Sequence, residues 1–583
     1  MTGNPVTPVG APNGGVHTGN TAGSPAVLFG FPQTSPAQPA PPGVAVTGLP
    51  LPQIVPMVVT IMPSNNLSPE NCNLERFLVD WARKAYANSC VPPPGKRPYG
   101  LLDRNAHLCE KEVKAQLGTR ITRVVYDDLN GDCCDYQGID WQQMGVTRQQ
   151  AREQRRQTYT NYISVKDSDK WEPSRCEYMP RNTDNHFCFR GMHIKRSIHL
   201  SHFQLRNLLA SASRSRVYYA AREGVVRQFN AVSGADSVAL RFRQHNEVQI
   251  STIAAGQGVL LAGGFNGEYC VVNTDSEYVD EKPGTARFEG TVTTNRASGI
   301  SNHIDIHNLR GVAAPLAAFA SNDLGLRIVD LETQRILSDV MFPFPVNCTA
   351  ISPDRRLRVV VGDCKDVFIV AAEPERTTTR RGGVSAPEIL NILRGHNDYG
   401  FACAWADDGY TLATGCQDRA IKIWDARKLC NTSGHSIPVT TLRTEMAGAR
   451  SLRFSPVGSG KRVLIAAEEA DFLNVFDAQT FRTHQTLDFF GEIGGVTLTN
   501  GSQDLWALCT DSWRGGLLHF ERCGLAAAAV AFDEAHDPSP RTQRWRGATS
   551  FDWPRPPWEP RRDRHRMLRR RLRDVAAAGL TPF

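Results

Sequence analysis

The chain has 583 residues, 41% hydrophobic and 21% charged, with a formal net charge of +7. That balance suits a chain with a large packed core and excludes a wholly disordered one. The charge is uneven: Arg541 to Arg573 holds twelve Arg against three acidic residues, a local +9, which leaves about −2 for everything else.

Residues 1–69 contain no Asp, Glu, Lys or Arg and are dense in Pro, Gly, Ala, Ser and Thr. Such a segment buries too little apolar area to offset chain entropy, so a disordered arm is expected. Pro36 to Pro42 is a candidate polyproline ligand, with a plain flexible extension as the simpler reading. The start, MTGNPVTPVG, lacks a charged region followed by an apolar stretch, and the fifteen Cys are scattered through predicted strands (Cys270, Cys348, Cys403, Cys416, Cys509). Both features point to reduced thiols in an intracellular protein, cytoplasmic or nuclear. Gly43 to Met62 is broken by Pro50, Pro52 and Pro56, so no membrane span is expected.

Residues 70–195 read as a mixed, partly helical extension. Leu74, Phe77, Leu78, Trp81 and Ala85 recur at helical spacing over Asn73 to Ala87, before the breaker VPPPGKRP. A second helix is signalled by the capping box Thr147-x-x-Gln150, and its Arg148, Arg152, Arg155 and Arg156 fall on one side. That side suits an acidic partner or phosphate, although a solvated face is the plainer expectation. Asp128, Asn130 and Asp132 hint at a calcium loop, but Cys133 and Ile139 stand where Gly and Glu belong. Cys176, His186, Cys188 and His193 fit no zinc-site spacing, so no metal is expected.

After about Ile198 a strand pattern repeats. Apolar runs close at Asn230, Asn273, Asp330, near Ala372, and at Asp425, Asp477 and Glu521, at intervals of 43, 57, 42, 53, 52 and 44 residues. Seven such units imply seven four-stranded blades over 196–521. The fifth, Ile389 to Lys428, is the fullest: Gly395-His396, two apolar strands around Asp407-Asp408-Gly409, then Ile421 to Trp424 ending at Asp425. It resembles a WD repeat, and the resemblance implies a buried hydrogen-bond chain through His396, Thr414, Asp418 and Trp424, structural in role. Ring closure needs a strand from before the first repeat, and Met192 to Ile198 is the candidate. Two stretches, Thr274 to Ser301 and Glu373 to Pro387, look like long inserted loops. Residues 522–583 turn Ala-rich and then basic, and Arg561, Arg562, Arg564, Arg566, Arg569, Arg570, Arg571 and Arg573 are candidate contacts to nucleic acid or an acidic partner.

Gln137 to Tyr162, His202 to Leu209, Gly395 to Arg427 and Arg450 to Phe481 together resemble a group of fungal WD-repeat proteins; plant relatives share the first two motifs. The last stretch is similar to a short domain of unknown function within them. The resemblance implies the architecture and supplies no mechanism. Leu412 to Arg427 is also similar to the box, ending Trp-Asp-x-Arg, of WD proteins that dock on the propeller adaptor of cullin-RING ubiquitin ligases, which implies docking through Arg427.

The expected protein is therefore an all-β, seven-bladed WD-repeat propeller with a partly helical N-terminal extension. As a function, a noncatalytic protein–protein interaction scaffold is expected, with partner peptides on its top face and no cofactor. The alternatives are a cullin-RING substrate receptor acting through Trp424-Asp425-Ala426-Arg427 and a nucleic-acid-associated regulator acting through the tail. No Gly-rich phosphate loop, G-x-S-x-G elbow or H-E-x-x-H motif occurs, which speaks against an enzyme.

Overall fold

The computed structural model describes residues 71, 73–90, 108–170, 181–182, 184–242, 248–274, 287–293, 298–308, 314–372 and 385–523. The expected arm, the polyproline segment, Cys176 and the whole basic tail, Arg561 to Arg573 included, lie outside these residues.

Five sheets have four antiparallel strands in chain order, spanning 209–241, 250–291, 301–341, 346–393 and 400–443. They are blades 1 to 5. Blades 6 and 7 share the strand Thr483–Thr499: its first part pairs with Ala470–Asp477, and its second part, from Ile493, pairs with Asp504–Cys509. The chain bends between the two parts at Gly491, where φ is 130° and a Cβ would stand 2.8 Å from the Cys509 sulfur. Only glycine takes that conformation without strain.

The first strands touch in a closed cycle, running Leu209–Ser213, Ile250–Gly256, Ser301–Asn308, Val346–Ile351, Gly400–Trp405, Ala449–Phe454, Thr483–Thr499 and back to Leu209–Ser213. They line the central channel of a seven-bladed propeller. Each of the seven closing positions read from the sequence falls at the end of a third strand, from Phe229 and Asn230 to Glu521 within Gly516–Arg522. Apolar side chains between successive blades form the core: Trp424 packs with Val359, Val361 and Ile369 of blade 4, and Phe476 with Ile421 and Ile423 of blade 5.

Two expectations are corrected. The closing strand is Phe187–Ile194, which pairs with Gly516–Arg522; it begins at Phe187 instead of Met192. Phe187 and Phe189 alternate into the core, and a register shift that leaves Arg190 unpaired in the ladder and exposed brings Met192 back to the buried face. The stretch Thr274 to Ser301 is more than a loop, because Arg287–Thr291 within it is the outer strand of blade 2.

The N-terminal segment also covers two rims. Arg123–Val125 adds beside the closing strand, and Arg181 and Asn182 pair with Thr483 and His484 at the edge of blade 6. Covered edges lose their tendency to recruit other chains. The helices α1 (Leu74–Cys90), α2 (Glu110–Gly118) and α3 (Arg148–Thr158) build one apolar cluster with Trp141, Phe490 and Trp513. Among the described residues no helix is long and apolar enough to cross a membrane.

Candidate functional site

The strands of each blade alternate in direction, so the loops leading into first strands and the turns between second and third strands open on one face, here the top face. Over blades 5 to 7 that face is occupied by residues 73–90 and 108–170 of the same chain. Ser164, Val165 and Ser168 bind Asp398 before blade 5, and Asn161 bonds Gln417 and Gly448. Gln137 donates to the carbonyls of Phe490 (2.8 Å) and Arg514 (3.0 Å) and accepts from Phe490 N. Asp135, fully buried, holds this segment by accepting from Gln137 N, Ile139 N and Trp141 Nε1. The would-be calcium loop is thus a turn whose acidic groups serve the chain itself, with Asp132 accepting from Arg148 N.

The capping box forms as read: Thr147 Oγ1 accepts from Gln150 N and Gln150 Oε1 accepts from Thr147 N. It points α3 at the propeller. The solvated face expected for its arginines is overturned, since Arg148, Arg152 and Arg155 are buried. Arg148 Nη1 donates to Asp488 at 2.7 Å, Arg152 bridges Asp488 (3.0 Å) and Asp471 (2.6 Å), and Arg155 reaches Asp471 at 3.2 Å. The Arg152 guanidinium also lies 3.9 Å from the Phe490 ring centroid. The acidic partner is therefore intramolecular. Sequence spacing marked the arginine stripe, but Asp471 and Asp488 are more than 300 residues away and carried no local signal.

Towards the channel the network continues. Tyr159 donates to Glu469 at 2.9 Å, Arg450 donates to the other Glu469 oxygen at 2.8 Å, and Arg206 pairs with Glu492. Burial pushes the Glu492 carboxyl up to about 7 against the pull of Arg206. Residues of three stretches, Gln137 to Tyr162, His202 to Leu209 and Arg450 to Phe481, meet in this network. The Arg450 to Phe481 stretch is itself three strands of blade 6.

In blade 5, Trp424 Nε1 donates to Thr414 Oγ1 (2.9 Å), the Thr414 hydroxyl meets His396 Nε2 (2.9 Å), and His396 Nδ1 meets Asp418 Oδ2 (3.2 Å). Asp418 also accepts from Asn397 N and Ala420 N. Protonation at Nδ1 satisfies every member of the chain. Cys416 joins His396 and Asp418 within 4.8 Å, but both imidazole nitrogens are committed inside the blade. Arg427 follows the third strand and so lies at the opposite face. It is 65% exposed, bound bidentately to Asp425 at 2.7 and 2.9 Å, with its guanidinium 3.8 Å from the Tyr410 ring centroid.

A row of partly exposed aromatics remains beside the covered sector of the top face. Tyr162 meets Phe203 edge-on at 4.9 Å, His202 stacks on Phe203 at 4.9 Å, and His202 lies 6.1 Å from Phe265. Tyr162, His202 and Phe203 lie in two of the motifs quoted for the resemblance, but their meeting with Phe265 was not legible there, because the row joins the extension, the segment before blade 1 and a turn of blade 2.

On the channel wall His307 is 7% exposed, and its Nε2 lies 3.2 Å from Arg358 Nη2. Burial first and Arg358 second hold its imidazole down at about 4. The unfolded chain binds this proton near 6.5 whereas the folded chain does not, so stability is lost as pH falls from about 6.5 towards 4. His307→Gln is expected to make the fall in melting midpoint over that window shallower; a slope equal to wild type contradicts this assignment.

The fold is a seven-bladed WD-repeat β-propeller. The family described as WD domain, G-beta repeat matches residues 387–425, the end of blade 4 and most of blade 5. An uncharacterized protein of Schizosaccharomyces pombe is 24% identical over 211 residues, which cover 36% of this chain and 57% of that protein. The chain thus spans little more than half the length of the relative it matches. Fold and repeat together support a protein-interaction scaffold.

Proposed function

We propose that the chain is a noncatalytic interaction scaffold that docks a partner protein on the uncovered part of its top face, beside the channel mouth. What carries this reading is the aromatic row Tyr162, His202, Phe203 and Phe265, left partly exposed at the border of the sector that the extension covers. Rigid aromatic anchors at the rim of a covered surface have the character of binding hot spots. The test is affinity purification of the tagged full-length chain beside a Phe203→Ala, Phe265→Ala double variant. Loss of the co-purifying partners from the double variant, at unchanged expression, is expected; an identical partner set contradicts top-face docking.

A second reading is docking onto a cullin-ligase adaptor through Arg427. It is favoured by an exposed guanidinium that Asp425 and Tyr410 hold in one orientation. Arg427→Ala is expected to leave the melting midpoint unchanged and to remove such an adaptor from the purified set; recovery of the adaptor with the variant defeats this reading. Nucleic-acid association through residues 541–583 rests on composition, and binding that is insensitive to salt, or to removal of those residues, speaks against it.

A further inference from the structure

The innermost strands of blades 4 and 5 bring Cys348 and Cys403 together with their sulfurs 3.6 Å apart. They are 5% and 6% exposed, yet both line a cavity of about 210 Å³ in the channel wall that is partly open to solvent. His303, from the innermost strand of blade 3, lines the same cavity. It is 8% exposed and its Nδ1 has no hydrogen-bond partner. Three neighbouring blades thus contribute one sulfur or nitrogen each to a single wall. Other buried thiols have different neighbours: Cys416 lies beside His396 and Asp418, and Cys509 donates to the Phe490 carbonyl at 3.5 Å.

We propose that Cys348 and Cys403 are a peroxide-sensitive dithiol, with Cys348 as the attacking sulfur and Cys403 as the resolving one, closing an interblade disulfide on the channel wall. The assignment of roles follows from the contacts. Cys403 donates to Cys348 across the 3.6 Å gap, and that hydrogen bond, opposed by burial and aided by His303, lowers the Cys348 thiol from its ordinary range. Burial pushes the Cys403, Cys416 and Cys509 thiols well up. Thiolate character and access decide which thiol reacts.

The steps balance. The Cys348 sulfur attacks one oxygen of hydrogen peroxide; an S–O bond forms, the O–O bond breaks, and the leaving hydroxide takes the Cys348 proton to become water. The Cys403 sulfur then attacks the sulfenic sulfur; the S–S bond forms, the S–O bond breaks, and the second hydroxide takes the Cys403 proton. Two thiols and one peroxide give one disulfide and two waters, the sulfurs losing two electrons and the peroxide gaining them. A disulfide needs the sulfurs about 2.05 Å apart, so side-chain rotation across the cavity must close the remaining gap.

The test uses the full chain treated with hydrogen peroxide, quenched by alkylation under denaturing conditions and mapped by peptide mass spectrometry. The expected result is a cross-linked peptide pair containing Cys348 and Cys403, two hydrogens lighter than the reduced pair and reversible by dithiothreitol, with Cys416 and Cys509 alkylated in full. In Cys403→Ser, Cys348 is expected to stop at a sulfenic acid trapped by dimedone; in Cys348→Ser, Cys403 is expected to stay reduced. The proposal is overturned if wild-type Cys348 and Cys403 remain fully alkylatable while exposed Cys109 oxidises, or if Cys403 is the sulfur that dimedone captures. The wild-type map decides the matter even where a serine variant folds poorly.

Discussion

Asp488→Ala is expected to destabilise the chain by about 3 to 5 kcal/mol, because it strands two buried guanidinium groups at once. Asp488 is fully buried and accepts from Arg148 at 2.7 Å and from Arg152 at 3.0 Å. Removing one partner of a buried pair costs far more than the pair contributes net, since the remaining charge loses both water and counter-ion. Arg148 keeps a bond to the Asp488 carbonyl, and Arg152 keeps Asp471, which places the effect inside the range instead of above it. The loss should appear locally first. Arginines of α3 now shielded become substrates for trypsin, so cleavage within Arg148–Thr158 should precede cleavage of the blades. A melting midpoint equal to wild type, with α3 still resistant, removes the claim that this ion network clamps the extension. Asp488→Asn is the control: it retains the shape and part of the hydrogen bonding, and it should fall between the two.

Trp424→Ala should cost about 3 to 5 kcal/mol through a different mechanism. The side chain is fully buried between blades 4 and 5, and its Nε1 donates to Thr414. Truncation leaves a cavity beside a hydroxyl that has lost its donor, so the packing and polar penalties add. Trp424→Phe separates them, because it keeps most of the volume and removes only the hydrogen bond; a cost of about 1 to 2 kcal/mol is expected for it. Chemical denaturation with tryptophan-independent circular dichroism measures both. Equal stabilities for the Ala and Phe variants show that packing around this side chain is not what holds blade 5 to blade 4.

The contrast between these two sites tracks what a sequence makes legible. His396, Thr414, Asp418 and Trp424 lie within one stretch whose resemblance to a WD repeat implies that they meet, and the third-strand ends repeat because each blade solves the same packing problem with the same alternation. The closing strand was placed a few residues late because Met192 to Ile198 and Phe187–Ile194 share an apolar character, and only pairing with Gly516–Arg522 fixes the register. The arginines of α3 were visible as a stripe, yet a stripe reads alike whether it faces water or a buried carboxylate. Its partners Asp471 and Asp488 both belong to blade 6, more than 300 residues along the chain, and a single sequence holds no record of contacts over such separations. The aromatic row and the Cys348–Cys403 pair stayed hidden for the same reason: each is assembled from segments that are distant in the chain.

The central claim is that residues 73–90 and 108–170 belong to the folded propeller and seal its top face over blades 5 to 7. Amide hydrogen exchange of the full chain, read by mass spectrometry, tests it most directly. The account predicts that peptides covering 135–162 exchange as slowly as those from the strands of blades 6 and 7, and that Asp488→Ala speeds exchange in 148–158 first. Rapid exchange throughout 135–162 in the wild-type chain, beside protected blades, would contradict it and return the whole top face to solvent and to partners.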